Sequence, residues 1–321
     1  MRTSVTEMGI LKGARIAVKE CMNVSRGEVV LVVTDQQRHR VASYIFSAAR
    51  EASARVTMLI IPTLSRHGEE PPKVVAEAMR AADVVFAPTT YSLTHTQARK
   101  RATEAGVRIA TMPMITEEMM CRGAMLADYR EVSQLTKKVA GRLNRCREVE
   151  VTSAAGTELG FSVKGRKAHP DTGIFHRPGD FGNLPAGEAF IAPVEGTGEG
   201  TVVVDGSMID KVHGKIKIEI RGGRAVKFSG GPSRRLEAIL KKAGKKAFNL
   251  AEFGVGTNPK AQLIGNVLED EKVLGTCHVA LGDNSTFGGK VQAGVHVDGI
   301  FLKPTVKLDG KVLMKSGKLL P

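Results

Sequence analysis

The apolar run VHVDGIF, near the end of the chain, contains a histidine and an aspartate two positions apart, His296 and Asp298. Side chains two residues apart on a β-strand point to the same face, so the imidazole and the carboxylate can converge on one point. Their neighbours are valine, isoleucine and phenylalanine, so both polar groups are expected among hydrophobic side chains. An ionised carboxylate is costly there unless a partner neutralises it, and a metal ion is a common partner.

Four residues upstream combine a metal-binding side chain with an apolar setting. Glu188 enters the run AFIAP after a Pro-Gly-rich turn, Glu252 lies in AEFGVG, Glu271 ends an acidic triplet, and His278 lies in TCHVALG. Together with the His-x-Asp pair they predict a metal site. Nitrogen and carboxylate ligands favour a catalytic site for a hard or borderline divalent metal. No cysteine pair has zinc-finger spacing.

Each of these residues, taken alone, has an ordinary explanation. A single histidine on a strand is more often a hydrogen-bonded core residue than a ligand, and a His-x-Asp pair can be an ion pair. Glu188 can equally face water from an edge strand. Cys277, beside His278, suggests a nucleophile, but its side chain should point to the opposite strand face, which favours an inert buried thiol. The metal interpretation depends on all of these groups together.

The composition is that of a globular protein with a basic surface. Of its 321 residues, 42% are apolar and 25% charged, and 47 Lys and Arg against 33 Asp and Glu leave a formal charge of +14. This surplus suggests a nucleic-acid function, but the basic residues are spread along the chain, which is typical of solvated faces. With no Trp and three Tyr, base-stacking platforms are not expected. The sequence therefore predicts no nucleic-acid partner.

No segment of the sequence is typical of secretion or membrane insertion. The start lacks a basic-then-apolar signal, and the longest apolar runs are too short to span a bilayer. The four cysteines lie far apart without framework spacing. We therefore expect a cytoplasmic protein with reduced thiols and no membrane association.

The elements that must position these residues change in character near Cys146. Before it, apolar runs such as EVVLVVTD and VRIATMP alternate with helical patterns, which indicates a parallel sheet covered by helices. After it, strand–turn–strand patterns with Gly-Gly and Asp-Gly turns dominate. The prediction is an α/β domain over residues 1–146, followed by a mostly antiparallel, β-rich metal-binding domain over residues 147–321.

Loops of the α/β half give no strong sign of a second site. The loop TDQQRHR lacks the glycines that let a backbone approach a pyrophosphate, so a dinucleotide site is not supported. His39 and His95 lie in loops after strands, where α/β sheets bind ligands, although single loop histidines are usually only solvated.

The C-terminal motifs resemble those of the thermophilic metallo-aminopeptidase family, of the aminopeptidase T and aminopeptidase S (leucyl aminopeptidase-like) type. The matching segments are NLPAGEAFIAP, AEFGVGTNP, DEK followed by GTCHVALG, and VHVDGIF, in that order. The chain would be a short member of the family. The resemblance implies a dimeric enzyme that holds two divalent metals in its C-terminal domain and removes N-terminal residues from peptides.

The resemblance also implies ligands, position by position. Glu188 and Glu252 match the family's two early metal-binding glutamates. His278 matches the histidine of its H-[IVL]-A-L-G motif, and His296 and Asp298 match its H-x-D pair.

This sequence departs from the family pattern at two places. Glu271 corresponds to the glutamate of the family's D-E-N motif, but it lies farther from the histidine. The family's tyrosine after A-L-G falls on Ser285, with Phe287 nearby. Because no hydroxyl-bearing aromatic residue stands there, slow peptidase turnover is expected.

A related branch of the same fold offers a second interpretation. Dioxygenases that open dihydroxypyridine rings resemble the family but use one Fe(II), held by two histidines and an aspartate. His278, His296 and Asp298 would suffice for such a site, which leaves positions open for substrate and oxygen.

The glutamates decide between the two interpretations at the level of sequence. A single-iron site does not need Glu188, Glu252 and Glu271, whereas a two-metal hydrolase needs carboxylates for both ions. The sequence therefore predicts a cytoplasmic, homodimeric metallo-aminopeptidase that hydrolyses small peptides with two divalent ions, Zn, Co, Mn or Mg. Glu252 or Glu271 would move a proton from the metal-activated water to the leaving amine. The Fe(II) dioxygenase is the alternative.

Overall fold

The computed structural model describes residues 5–52, 55–211 and 214–320, which fall into two compact units. The first unit contains the chain up to Ser133 and the later segment Thr172–Ala186, and the second contains Gln134–Asp171 and the chain from Gly187 onward. The change of unit lies inside a helix that ends shortly before Cys146. The sequence-based boundary at residue 146 stays a prediction.

The described residues form eight α-helices and twenty β-strands, numbered here in chain order. The helices are α1 (Val5–Arg15), α2 (His39–Ala52), α3 (Lys73–Arg80), α4 (Gln97–Glu104), α5 (Glu117–Arg122), α6 (Tyr129–Leu143), α7 (Ser233–Ala243) and α8 (Val267–Asp270). The strands are β1 (Val29–Asp35), β2 (Arg55–Ile61), β3 (Val84–Ala87), β4 (Arg108–Thr111), β5 (Glu148–Thr152), β6 (Glu158–Ser162), β7 (His169–Asp171), β8 (Phe181–Asn183), β9 (Glu188–Ile191), β10 (Glu199–Val204), β11 (Ser207–Met208), β12 (Asp210–Lys211), β13 (Ile216–Arg221), β14 (Arg224–Ser229), β15 (Leu250–Gly256), β16 (Thr276–Gly282), β17 (His296–Leu302), β18 (Thr305–Leu308), β19 (Lys311–Lys315) and β20 (Lys318–Leu319). None of the described helices has the length and apolar character needed to cross a bilayer.

A five-stranded parallel sheet forms the centre of the first unit, in the order β2-β1-β3-β4-β8. β1 lies between β2 and β3 and pairs in parallel with both. Its continuous apolar run is buried from Val30 onward, as expected for a strand covered on both faces. On α2, Val41 and Ile45 recur at helical spacing and are buried. The predicted α/β fold with a parallel sheet is confirmed.

The last strand of this sheet comes from a distant part of the sequence. β8 lies between β7 and β9 along the chain, yet it pairs in parallel with β4, with Ile109 opposite Phe181 and Thr111 opposite Asn183. The sequence analysis assigned this stretch to the β-rich half. Its three residues are too few for a periodic pattern to show which sheet they join.

Two antiparallel sheets make up the second unit. Their orders are β14-β13-β10-β6-β5-β18-β19-β20 and β12-β11-β17-β16-β15-β9-β7. The sheets share one apolar core, in which the rings of Phe161 and Phe253 lie 5.4 Å apart. Gly222 and Gly223, both with positive φ, form the tight turn between β13 and β14. The predicted antiparallel β fold of the C-terminal part is confirmed.

A buried carboxylate joins two loops at the carboxyl ends of the parallel strands. Asp35 is 1% exposed and ends β1. It accepts hydrogen bonds from the backbone N–H groups of Gln37 (3.1 Å), Arg38 (3.2 Å) and Thr90 (2.5 Å), and from the Thr90 hydroxyl (3.0 Å). The loop after β1 and the loop after β3 therefore share one acceptor.

We expect Asp35→Ala to lower the free energy of unfolding by about 3 kcal/mol, because several donors would lose a charged acceptor and some would stay buried without a partner. Urea denaturation measures this change. The exposed neighbour variant Gln36→Ala is the control and should change stability by less than about 0.5 kcal/mol. Equal effects of the two substitutions would show that this carboxylate is not a structural link.

Candidate metal centre

Four neighbouring strands of the seven-stranded sheet, β9, β15, β16 and β17, carry five of the six predicted ligands. Paired residues of an antiparallel ladder lie on the same face, and side chains alternate along each strand. The register therefore places all five on one face. They are Glu188, Glu252, His278, His296 and Asp298. The opposite face of the same strands packs into the apolar core.

Small residues lie opposite every one of these ligands. The pairs are Glu188–Gly256, His278–Gly254, Glu252–Ala280, Asp298–Ala280 and His296–Gly282. Their small side chains leave room for the long polar ones to converge. A Cβ at Gly254 would lie 2.0 Å from both Cε1 and Nε2 of His278, so the imidazole lies directly over that glycine. The run EFGVG, with glycine at every second position, is the sequence signal of this arrangement.

The imidazole of His278 is completely buried. Its Nε2 lies 3.1 Å from Oε2 of Glu188 and 3.2 Å from Oε1 of Glu252. Its Nδ1 has no hydrogen-bond partner among the described residues. The ring therefore directs its polar contacts through one nitrogen, towards the carboxylates.

The second imidazole is held from behind by the backbone. Nδ1 of His296 lies 2.8 Å from the carbonyl oxygen of Asp283. A carbonyl only accepts, so Nδ1 carries the proton and Nε2 is the nitrogen left for a ligand role. Nε2 lies 3.4 Å from Oε2 of Glu252 and 3.3 Å from Oδ1 of Asp298. One carboxylate, Glu252, thus contacts both histidines.

The structure brings all six predicted ligands together. Three sets of three donor atoms each lie within 4.8 Å of one another: Glu188, Glu252 and His278; Glu252, His296 and Asp298; and Glu271, His278 and Asp298. Imidazole nitrogens with carboxylate oxygens suit a first-row divalent metal. Because Gly254 has no Cβ, the imidazole of His278 can lie over it, among the carboxylates, as a metal ligand would need to. These residues could therefore hold a metal, and their binding of one stays a prediction.

A lysine that the sequence analysis did not consider lies among the same carboxylates. Lys272 is completely buried, and its Nζ lies 2.5 Å from Oε1 of Glu188, 2.5 Å from Oε1 of Glu271 and 3.5 Å from Oδ2 of Asp171. Its sequence signal was a lysine placed between an acidic triplet and the apolar run VLG. Two of the three glutamates that suggested a second metal therefore already contact a cation.

Burial and charge oppose each other around this ammonium. Burial lowers the pKa of Lys272, but the charges of Glu188, Glu271 and Asp171 outweigh it and hold that pKa well above its ordinary value. Burial raises the pKa of Glu188, but Lys272 and His278 overcome this and lower it. Burial dominates at Glu271 and raises its pKa well above the usual range. Burial, with the charge of Glu188, raises the pKa of Asp171 to about 7 against the effect of Lys272.

The two histidines respond to the remaining negative charge. Burial lowers the pKa of His278 and of His296, but the neighbouring carboxylates raise both pKa values well above the ordinary one. The centre thus holds more negative charge than Lys272 balances. A divalent cation at the same nitrogens would supply the charge of two protons.

The other residues considered at the outset lie outside this set of donors. Ser285 turns away, with its hydroxyl donating to Oδ1 of Asp283 at 2.7 Å. Cys277 is buried, and burial raises the pKa of its thiol, as expected for an inert strand cysteine. His39 and His95 belong to the first unit.

Comparisons with known proteins place this site in context. A sequence model of the family described as NicX, 2,5-dihydroxypyridine 5,6-dioxygenase, matches residues 14–321. A curated 2,5-dihydroxypyridine 5,6-dioxygenase from Pseudomonas putida is 25% identical over 260 residues, covering 75% of this chain and 71% of the relative. The solved 2,5-dihydroxypyridine dioxygenase from P. putida has a TM-score of 0.84 at 20% identity, covering 99% of this chain and 98% of its own. AmpT from Thermus thermophilus has a TM-score of 0.71 at 18% identity, covering 98% and 100%.

The prediction of a metallo-aminopeptidase, with its hydrolase and protease assignments, is wrong. The family match and the curated relative indicate a dioxygenase, which was the alternative interpretation. The similarity to AmpT supports a related fold and no more. The error was to count glutamates without their partners, because Glu188 and Glu271 contact Lys272 and do not by themselves require a second metal.

We expect Gly254→Ala to prevent metal binding at this centre, because the added methyl would take the place of the His278 imidazole. Metal content per chain after dialysis against Fe(II) or Zn(II), measured by elemental analysis, should fall by at least about tenfold.

The matched control is Gly160→Ala on β6, where a Cβ would meet no atom within 4 Å. That variant should bind metal normally. Full metal content in the Gly254→Ala protein would show that His278 is not a ligand.

Proposed function

The chain belongs to the family described as NicX, 2,5-dihydroxypyridine 5,6-dioxygenase, and on that premise we propose that it is an Fe(II)-dependent dioxygenase that opens a dihydroxylated pyridine ring. The observation that carries the proposal is the position of the Lys272 ammonium. It lies 2.5 Å from an oxygen of Glu188 and of Glu271, where a two-metal site would need a second cation. One divalent ion is then enough for the remaining donors.

The proposed ligands are two histidines and one carboxylate, His278, His296 and Asp298. Asp298 belongs to one set of close donors with His296 and to another with His278, so it can reach a metal bound by either imidazole. Such a set would hold Fe(II) and leave coordination positions for other ligands. Glu252 lies between the imidazoles and is a fourth donor within reach.

Fe(II), when bound, would supply the redox chemistry with dioxygen that amino-acid side chains lack. The residues of the chain would position the ligands, balance the charge of the site and accept a proton from the substrate. The Asp283 carbonyl fixes the ring of His296, and Gly254 leaves the space that the ring of His278 needs. Glu252 is placed to accept a proton from a hydroxyl of the bound ring, since its two oxygens lie at the junction of both imidazoles. Lys272 balances the charge of Glu188 and Glu271 through one oxygen of each.

The direct test is metal stoichiometry together with oxygen consumption. Protein loaded with Fe(II) without oxygen should hold one ion per chain and then consume one O₂ for each 2,5-dihydroxypyridine that disappears. His296→Ala and Asp298→Asn should each lower this activity by more than about 100-fold, because even groups that only support ligands contribute about 10- to 100-fold. The variant His39→Ala, in the first unit, should behave as the unchanged protein.

Either of two results would contradict the proposal. One is two tightly bound ions per chain. The other is full oxygen uptake by the Asp298→Asn protein, which would mean that the His-x-Asp pair is not part of the iron site.

We further expect Lys272→Met to destabilise the metal-free protein by about 3–5 kcal/mol, because it leaves buried carboxylates without their cation. Millimolar Mn(II) should restore more stability to this variant than to the unchanged protein, since a second divalent ion can replace the ammonium. Urea denaturation with and without the ion measures both effects.

Lys260→Met, at an exposed lysine of the same unit, is the matched control and should alter neither stability nor its response to Mn(II). A Lys272→Met protein as stable as this control would remove the charge-balance argument for a single metal.

A further inference from the structure

Three aromatic side chains stand beside the candidate metal centre. The rings of His169 and Phe190 are stacked, with centroids 5.3 Å apart and planes at 21°. Phe287 lies perpendicular to both, 6.4 Å from His169 and 5.5 Å from Phe190. We call these three residues the aromatic wall. All three are only partly buried, although the second unit has a large apolar core available.

The aromatic wall continues the face of the sheet that holds the metal ligands. Phe190 lies directly opposite Gly254 in the ladder, and His278 lies opposite the same glycine from the other side. At the other end of the wall, Phe287 packs against the imidazole of His296, with ring centroids 5.8 Å apart and planes at 85°. The wall therefore flanks both proposed histidine ligands.

The loop that carries Phe287 is fixed by a network of charged and polar groups. Glu195 accepts hydrogen bonds from the Asn284 side chain (3.0 Å) and the Lys290 backbone (2.7 Å). Arg166 forms an ion pair with Glu195 and donates to the carbonyl of Gly288. Asn284 is completely buried. Phe287 is thus held at both ends of its turn rather than left on a free loop.

Partly exposed aromatic rings leave apolar surface in contact with water, and a ligand that covers this surface lowers the free energy. Water in contact with their apolar faces is unfavourable, and a planar aromatic ligand would cover those faces with stacked or edge-to-face contacts. Burial lowers the pKa of His169, which favours the neutral ring that stacks on Phe190. An aliphatic metal ligand would gain much less from such a surface.

We propose that His169, Phe190 and Phe287 form the surface against which the substrate ring packs, so that the centre selects aromatic over aliphatic metal-binding ligands. The proposal rests on the proposed dioxygenase function, whose substrate is a hydroxylated ring. Phe287 is the specificity-determining residue, because it alone contacts both the stacked pair and the ring of His296.

The test is ligand binding to Zn(II)-loaded protein by equilibrium dialysis without oxygen, which excludes turnover. The two probes are 2,5-dihydroxypyridine and oxalate, one an aromatic and the other an aliphatic metal ligand. Phe287→Leu should weaken binding of the ring about tenfold, which corresponds to about 1.4 kcal/mol, and leave oxalate binding unchanged. Phe287→Tyr, which keeps the ring, should restore the affinity.

Phe248→Leu is the matched control. Phe248 is also partly buried, and its ring lies 6.0 Å from that of another phenylalanine, Phe228, with the planes at 67°. It should not change the affinity for either probe. If Phe287→Leu does not fold, Phe190→Leu gives the same comparison.

The outcomes separate this proposal from the proposed function. Equal weakening of both probes would mean that Phe287 acts only through His296, and no weakening would mean that the wall does not touch the ligand; either result overturns the proposal. Selective loss of ring binding supports it even if the Fe(II) protein consumes no oxygen, in which case only the oxygenase assignment fails.

Discussion

The carboxylates gathered at the seven-stranded sheet repel one another, and the cations that lie among them oppose both this repulsion and the cost of burial. Lys272 supplies one permanent charge to Glu188, Glu271 and Asp171. The imidazoles of His278 and His296 face the remainder and bind protons more tightly as a result. The centre is therefore divided into a half neutralised by the chain itself and a half that an external cation can occupy.

Shape and charge are set by the same few strands. Each of the five strand-borne ligands faces glycine or alanine on one neighbouring strand, and the opposite sides of these strands fill the apolar core with residues such as Phe253 and Phe301. One face of the strands thus packs into the core, and the other has space over its glycines and alanines for the long polar side chains. This explains how strands that are buried along almost their whole length can carry so many ionisable groups.

Alternation and residue type made much of this architecture predictable. The continuous apolar strands of the first half indicated a parallel sheet, and the His-x-Asp pair correctly indicated a shared strand face. The partners of each carboxylate were not predictable, because Glu188 on β9 meets Lys272, which lies 84 positions later in the turn after α8. The prediction of a two-metal aminopeptidase therefore failed, because it depended on whether the glutamates already contact a cation of the chain. Glu271 was expected to face a metal, and its closest described cation is the neighbouring lysine.

The parallel pairing of β8 with β4 has a consequence for synthesis on the ribosome. β4 ends at Thr111 and β8 at Asn183, so the sheet of the first unit lacks its last strand until some 70 further residues have been made. At about 5–20 residues per second, that interval is roughly 4–14 s. During it, the edge of β4 that β8 later covers is open to pairing with another chain, while β5, β6 and β7 are being made. The length of time for which the β4 edge stays unpaired during synthesis is thus set by the position of β8 in the sequence.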